Sequence, residues 1–134
     1  MSPIRGISKT GQPQGDEEGV VLAITQFLQL NGAKVHRVVE RIPWGKRTSE
    51  AGIPDLFGWW PRGHYQSKLQ ENLYGPGPLH FHIEVKKPGK KPTPVQMEWM
   101  KTAAVDGVVV LWADSVEMMV LEFRRSYGIV LRGL

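Results

Sequence analysis

The first regular pattern of apolar positions along the chain has the spacing of an amphipathic helix. Apolar residues recur at intervals of three and four: Val20, Val21, Ile24, Phe27, Leu28 and Leu30. Asp16 precedes them as a candidate N-cap, and the Asn31-Gly32 pair ends the pattern as a C-cap would. The pattern predicts a helix from about Asp16 to Leu30, after a flexible lead-in over residues 1–15.

Other segments have the residue types and alternation of β-strands. Strands are predicted over Lys34–Ile42, Asp55–Trp60, Leu79–Lys87 and Val108–Trp112, with a short last one over Ile129–Leu131. The stretch from Pro43 to Pro54 is rich in Gly, Pro and charge, and it predicts a loop. Residues 62–78 are polar and predict an exposed insertion. Four tryptophans are expected in the core from their positions: Trp59, Trp60, Trp99 and Trp112.

Two further helices are predicted in the second half of the chain. Thr93 is a candidate N-cap with Pro94 at the first helical position, and Asp106-Gly107 ends that pattern. Asp114 or Ser115 caps a last helix that runs to about Arg125. This order of elements predicts one α/β domain over residues 16–134, with a mixed central sheet flanked by helices.

Composition narrows the classes of function. The 134 residues carry 17 Lys and Arg against 13 Asp and Glu, which gives a net charge of +4 and a weak preference for a polyanionic partner. Cysteine is absent, which excludes disulfides, thiolate zinc sites, iron–sulfur clusters and cysteine nucleophiles. The longest apolar run, Val108 to Ala113, is far too short to span a bilayer. We therefore expect a cytoplasmic protein without membrane association. As a separate expectation, we take it to be bacterial or phage-encoded.

The candidate chemistry lies in acids and a lysine on predicted strands. Asp55 follows Pro54 at the start of one strand, and Glu84 and Lys86 share one face of the clearest strand. Two carboxylates at adjoining strand ends, with the backbone carbonyl of Val85, would suit Mg²⁺. If the metal polarises a phosphate, Lys86 would position the water that attacks this phosphate or stabilise the negative charge that develops on it.

Two more polar residues complete the candidate site. Glu17 shares a helical stripe with Val21 and Ile24, whereas Glu18 lies about 100° away around the helix. Glu17 is therefore the preferred acid from the first helix, although stabilisation of the helix N-terminus explains it as well. Gln96 lies in the first turn of its predicted helix, where it would orient water or phosphate or remain an ordinary surface residue.

These motifs resemble those of the PD-(D/E)xK nucleases, and more narrowly a stand-alone VRR-NUC domain. The matching segments, which follow Glu17 or Glu18 in the family's order, are Gly52-Ile53-Pro54-Asp55-Leu56, Ile83-Glu84-Val85-Lys86 and Gln96. The resemblance covers roughly Asp16 to Phe123. The chain departs from the family pattern in two places. Its 62–78 segment is long, and Gly19 stands where the family often has an acid. The choice of Glu17 over Glu18 therefore rests only on the helix face.

The resemblance implies a restriction-endonuclease-like fold and a Mg²⁺- or Mn²⁺-dependent phosphodiesterase that acts on DNA. It makes Asp55 and Glu84 metal ligands, Glu17 an outer acid, Lys86 the catalytic lysine and Gln96 an accessory residue. Stand-alone members resemble Holliday junction resolvases and flap nucleases, which implies a homodimer acting on double-stranded or branched DNA. The alternatives are an end-dependent exonuclease and an inactive DNA-binding or interaction module.

Other charged and ring-bearing residues have two interpretations each. Five cations near the predicted site either attract the DNA backbone or belong to ordinary solvated loops: Lys46, Arg47, Lys87, Lys90 and Lys91. His80 and His82 share a strand face with Glu84, so a zinc site is conceivable, but histidine on a strand is more often structural.

Overall fold

The computed structural model describes residues 16–38, 40–41, 47–48, 54–61 and 78–133, and the statements below refer to these. The predicted lead-in and nearly all of the predicted insertion lie outside the described residues. The elements follow in the order α1 (Glu17–Leu30), β1 (Lys34–Arg37), β2 (Glu40–Arg41), β3 (Arg47–Thr48), β4 (Leu56–Trp60), β5 (Leu79–Val85), α2 (Pro94–Val105), β6 (Val109–Ala113) and α3 (Val116–Tyr127).

Four strands form a mixed sheet in the order β1-β4-β5-β6. The β1–β4 and β4–β5 pairs are antiparallel, and the β5–β6 pair is parallel, with α2 as the crossover between them. This architecture confirms the predicted α/β class and the mixed sheet. None of the helices in the described part of the chain has the length and apolarity that crossing a bilayer requires.

The main core lies between one face of the sheet and helices α1 and α3. Trp60 and Phe81 on the sheet pack against Phe123 of α3, with ring centroids 5.0–5.9 Å apart. The α1 side chains that enter this core, including Ile24 and Leu28, follow the predicted helical stripe. On the opposite face, α2 packs against β6 in a smaller cluster of Met100, Ala103 and Val110.

The helix ends follow the capping residues that the sequence predicts. The Asp16 carboxylate accepts the Gly19 N–H at 2.6 Å, and Gly32 takes a left-handed φ of 85° after α1. The N–H groups of Gly32 and Ala33 then bond the carbonyls of Gln29 and Leu28, which forms a Schellman motif. Ser115, rather than the alternative Asp114, caps α3 through the Met118 N–H.

Two predictions for the segment after α1 are wrong. The single strand predicted over Lys34–Ile42 is divided between β1 and β2, which belong to different sheets. The loop predicted over Pro43–Pro54 contains β3, which pairs with β2. The chain leaves the main sheet at Val38, whose N–H donates to the Asp55 carbonyl. Residue alternation does not reveal which partner a strand pairs with, and this explains both errors.

The strand predicted over Ile129–Leu131 is also wrong. This segment has no regular secondary structure, but both Ile129 and Leu131 are buried, which explains the alternating pattern. The hydrogen bonds here do not pair it with a neighbouring strand: the Ile129 N–H donates to the Phe123 carbonyl of α3 at 3.1 Å, and Arg132, directly after the segment, bonds the Asn31 C-cap of α1. The Asn31 side chain accepts the Arg132 N–H at 2.8 Å and donates to the Arg132 carbonyl at 3.0 Å.

The tryptophans divide between the two faces of the sheet. Trp60 is fully buried in the main core, as predicted, and its indole N–H donates to the Asn31 carbonyl at 2.9 Å. Trp99 and Trp112 are partly buried and pack against the smaller α2–β6 cluster, as expected of core residues, whereas Trp59 is partly buried outside both clusters, so the expectation is wrong for Trp59. Trp59 points away from the main core because successive side chains alternate across a strand.

The outer edge of β6 is covered by a side chain of α3. The Tyr127 hydroxyl donates to the Val110 carbonyl at 2.7 Å and accepts the Val110 N–H at 3.0 Å. These are backbone groups that a further strand would otherwise bond.

Gly58 on β4 is predicted to tolerate no side chain. A Cβ there would lie 2.2 Å from the Lys34 carbonyl oxygen and 2.8 Å from Phe81 Cζ. We expect Gly58→Ala to lower the free energy of unfolding by about 1–3 kcal/mol or more, measured by urea denaturation. Gly107→Asn is the control for an added side chain without a clash, because its Cβ meets nothing within 4 Å; its positive φ predicts a loss, but one smaller than at Gly58 because Asn tolerates this region best. Equal losses in the two proteins would contradict the steric argument.

Candidate active site

The candidate site lies where β4 begins and β5 ends. The last paired residues of these antiparallel strands are Leu56 and Ile83. Continuing the register by one position places Asp55 opposite Glu84 at the end of the sheet. The fold therefore brings together the two acids that the sequence separates by the insertion.

Asp55 is fixed by two hydrogen bonds. Its backbone carbonyl accepts the Val38 N–H at 2.8 Å, and its carboxylate Oδ2 accepts the Val85 N–H at 2.9 Å. The carboxylate thus takes the place of a backbone hydrogen-bond partner at the position directly before β4 begins. Because the N–H and C=O of a strand residue point to the same side, the Val85 carbonyl also faces the Asp55 side.

Glu84 is a buried carboxyl group on a central strand. It is 2% exposed, and its Oε2 atom has no hydrogen-bond partner. Burial, the hydrogen bond with the Asp55 carboxyl and the charges of Asp55 and Glu17 raise the pKa of Glu84 to about 9, although Lys86 acts in the opposite direction. The carboxylate form is therefore costly here unless a cation balances its charge.

Lys86 and Gln96 meet beside this acid pair. The Lys86 ammonium donates to Gln96 Oε1 at 3.4 Å, and the Lys86 backbone N–H bonds the Ala113 carbonyl of β6. The same Gln96 oxygen accepts the Thr93 N–H at 2.8 Å, while the Thr93 hydroxyl accepts the Gln96 N–H. Thr93 therefore fixes Gln96 through a capping box, a positioning role that the T-x-x-Q spacing signals but that we did not assign from the sequence.

The two acids at the start of α1 have different surroundings. Glu18 is exposed and forms a bidentate ion pair with Arg37, in which one nitrogen-to-oxygen distance is 2.8 Å. Glu17 is half-buried, and its charge contributes to the raised pKa of Glu84. The arrangement therefore favours Glu17 over Glu18 as the helix acid near the site, in agreement with the helix-face argument.

The predicted DNA-contacting cations are only partly described. Lys87, Lys90 and Lys91 are exposed on the loop between β5 and α2, directly after the candidate site. A turn shapes this loop, with the Lys90 N–H bonded to the Lys87 carbonyl. Lys46 lies outside the described residues, and Arg47 is described only as part of β3.

The donor atoms at the site suit a hard divalent cation. An unpartnered buried carboxylate oxygen, a neighbouring carboxylate and a backbone carbonyl are oxygen ligands of the kind that Mg²⁺ prefers. Among the described residues, no group of three or more His, Asp or Glu side chains is arranged to hold a metal. That result disfavours the alternative zinc site at His80, His82 and Glu84. It is compatible with Mg²⁺, which commonly takes one or two carboxylates and completes its shell with water and phosphate.

The raised pKa of Glu84 predicts a specific pH dependence of stability. The Glu84 carboxyl stays protonated in the native state up to about pH 9, whereas in the unfolded state it ionises near its ordinary pKa of 4.5, so the free energy of unfolding falls progressively across that interval. In EDTA, Glu84→Gln should therefore melt at a higher temperature than the wild type, by a margin that is absent below pH 4.5 and grows towards pH 9. Calorimetry across this range measures the margin, and Glu98→Gln controls for the loss of an exposed carboxylate. A constant margin would contradict the prediction.

Comparison with known proteins agrees with the resemblance in the motifs. A model of the VRR-NUC domain family matches residues 13–117. A solved structure of a VRR_NUC domain aligns with a TM-score of 0.56 and 20% identity, over 83% of this chain and 97% of that one, which shows a shared fold. A search of curated proteins found no match. Because the family model spans most of the chain, the protein belongs to the VRR-NUC family of nuclease-type domains.

Proposed function

We propose that this protein is a divalent-metal-dependent DNA endonuclease with a preference for branched, junction or flap DNA. The observation that carries the proposal is the buried Glu84 carboxyl, which has an unpartnered oxygen and lies beside Asp55 and Lys86. A purely structural strand would gain nothing from this arrangement, since two acids and a buried unpaired oxygen both destabilise it.

Each residue of the site has a distinct proposed role. Asp55, Glu84 and the Val85 carbonyl bind the cation, with Glu17 as an outer acid. When bound, Mg²⁺ or Mn²⁺ supplies a Lewis acid that polarises the scissile phosphate and lowers the pKa of water. Lys86 holds its ammonium group beside the reacting phosphate and stabilises the negative charge that develops during attack.

Gln96 connects the lysine to the helix that follows it. Its carbonyl oxygen accepts hydrogen bonds from both Lys86 and the Thr93 backbone, so the capping box also restricts the lysine head group. The amide NH₂ of Gln96 is then a donor for a phosphate oxygen or the attacking water. The exposed Lys87, Lys90 and Lys91 contact neighbouring phosphates, which makes affinity dependent on salt. We further propose a homodimer, because so small a domain has little surface with which to recognise a branched substrate.

Cleavage assays with matched variants test this function. Wild-type protein should nick supercoiled plasmid and cut junction or flap DNA with Mg²⁺ or Mn²⁺, and EDTA should stop the reaction. Lys86→Met and Asp55→Asn should each slow cleavage by about 100-fold or more, because the first removes the positive charge that stabilises the reacting phosphate and the second removes a carboxylate that binds the cation. Arg124→Ala, which changes an exposed cation on α3, is the control and should cleave normally.

A second measurement separates metal binding from catalysis. Mg²⁺ should raise the melting temperature of wild type and Lys86→Met, because it binds the native state, but should have little effect on Asp55→Asn. Asn at position 55 keeps an oxygen for the Val85 N–H, so the variant retains its fold. Cleavage in EDTA would contradict the metal mechanism. DNA binding without any cleavage by wild type would indicate the inactive module, and cleavage of linear DNA alone would indicate an exonuclease.

The start of α1 provides a pair of matched variants. Glu17→Gln should reduce cleavage severalfold, since the Glu17 charge reaches Glu84. Glu18→Gln should leave cleavage near the wild-type rate, because Glu18 pairs with Arg37 at the surface, where such ion pairs contribute little. Single-turnover rates at saturating Mg²⁺ measure both. The reverse ranking would assign the role to Glu18.

A further inference from the structure

The sheet face opposite the main core carries a cluster of aromatic rings on β1, β4 and β5. We call it the ring platform, and it consists of His36, Phe57, Trp59, His80 and His82. The strand register brings these rings together, because it places the residues in two adjacent cross-strand rows. One row is His36, Phe57 and His82; the other is Lys34, Trp59 and His80.

The rings of the platform lie close to one another, and three of their four contacts are stacked while Trp59 and His80 are tilted by 40°. His36 stacks on both Phe57 and Trp59, with ring centroids 5.3 Å apart and interplanar angles of 25° and 23°. Phe57 stacks on His82 at 6.3 Å, and Trp59 lies 5.9 Å from His80. These contacts join the five rings into one continuous surface.

The platform is accessible. His36 and His80 are exposed, and Phe57, Trp59 and His82 are only partly buried. Of the described helices, α2 reaches the platform only at one end, where the ring centroids of Trp99 and His82 are 5.6 Å apart. The main core occupies the opposite face, so core packing does not account for five rings here.

The platform is continuous with the candidate active site. Asp55 has the same strand parity as Phe57 and Trp59, and Glu84 has the same parity as His82, so all of these side chains are on one face. The acid pair is the next cross-strand row after Phe57 and His82, about 6–7 Å further along the strands. That distance is close to the length of one nucleotide in an extended DNA strand.

Charge indicates the direction in which a DNA strand would run. Lys34 stands at the far corner of the platform and Lys86 on the side of the acid pair, and the platform itself carries no carboxylate. Glu98 and Asp106 line a groove of about 690 Å³ between His82 and α2 on the other side. A polyanion is therefore favoured from the site towards β1 and disfavoured over the groove beside Glu98 and Asp106.

We propose that the ring platform binds unpaired nucleobases of a DNA strand whose backbone lies in the active site. Aromatic surfaces beside cations are typical of proteins that bind single-stranded nucleic acids, because every base offers a face for stacking. The inference rests on the proposed function for the presence of DNA. It adds the substrate feature that is recognised: unpaired nucleotides next to the scissile phosphate, as in a flap or at a junction.

Changing the DNA tests the platform without changing the protein. Affinity is measured by fluorescence anisotropy with Ca²⁺, for a flap whose unpaired nucleotides are intact and for one in which they are abasic. Both flaps have the same phosphates. Loss of the bases should weaken binding by about fivefold to 100-fold, the range expected when one base no longer stacks. Equal affinities would overturn the proposal.

Variants of one tryptophan identify the surface. Trp59→Leu should abolish the preference for the intact flap, whereas Trp59→Phe should retain most of it, because phenylalanine keeps an aromatic face. Leu121→Ala is the control, since Leu121 is an exposed apolar residue of α3, on the opposite side of the sheet. If Trp59→Leu keeps the full preference, or loses it no more than Trp59→Phe, the proposal fails.

Plasmid nicking distinguishes failure of this inference from failure of the proposed function. If wild type nicks plasmid with Mg²⁺ but binds both flaps equally, the nuclease function holds and the platform proposal does not. If wild type prefers the intact flap but cleaves no substrate, the platform proposal holds and the nuclease function fails. A preference that Leu121→Ala reduces as strongly as Trp59→Leu would overturn the assignment to the platform.

Discussion

The hydrogen bond from the Val85 N–H to the Asp55 carboxylate is the constraint on which the site depends. It connects the end of β5 to the residue before β4, at the position where the backbone ladder between them has stopped. The same hydrogen bond therefore extends the pairing of β4 with β5 and fixes the position of the acid pair. Glu84 is held against Asp55 by the same register, and the free-energy cost of burying its carboxyl is borne by the surrounding core.

Other residues of the site also have a structural task. Gln96 completes the α2 capping box and holds the Lys86 head group, so helix initiation and lysine orientation are coupled. The Lys86 backbone, in turn, continues the bonding between β5 and β6. A substitution at this site therefore has two effects, on folding and on chemistry. Variants that keep the hydrogen-bonding shape and change only charge are needed to separate them.

Much of the fold could be predicted because local residues decide it. Asp16 and Thr93 begin their helices as capping chemistry requires, and the acid, lysine and glutamine motifs predicted a nuclease-type domain. Pairing between strands is not local, and the errors arise there. The alternation over Lys34–Ile42 did not reveal that the chain changes sheets. Trp59 is a large apolar residue in an apolar strand, which is why it was expected in the core. Only the register shows that Trp59 lies on the side of Glu84, and hence that rings and acids share one surface.

The covering of β6 by Tyr127 has a consequence for how copies of this protein can associate. In the described sheet β6 is an edge strand, yet its Val110 N–H and C=O groups are both occupied by the phenol of α3. A foreign strand would have to displace that hydroxyl before it could extend the sheet. Edge-to-edge polymerisation through β6 is thereby discouraged at this position.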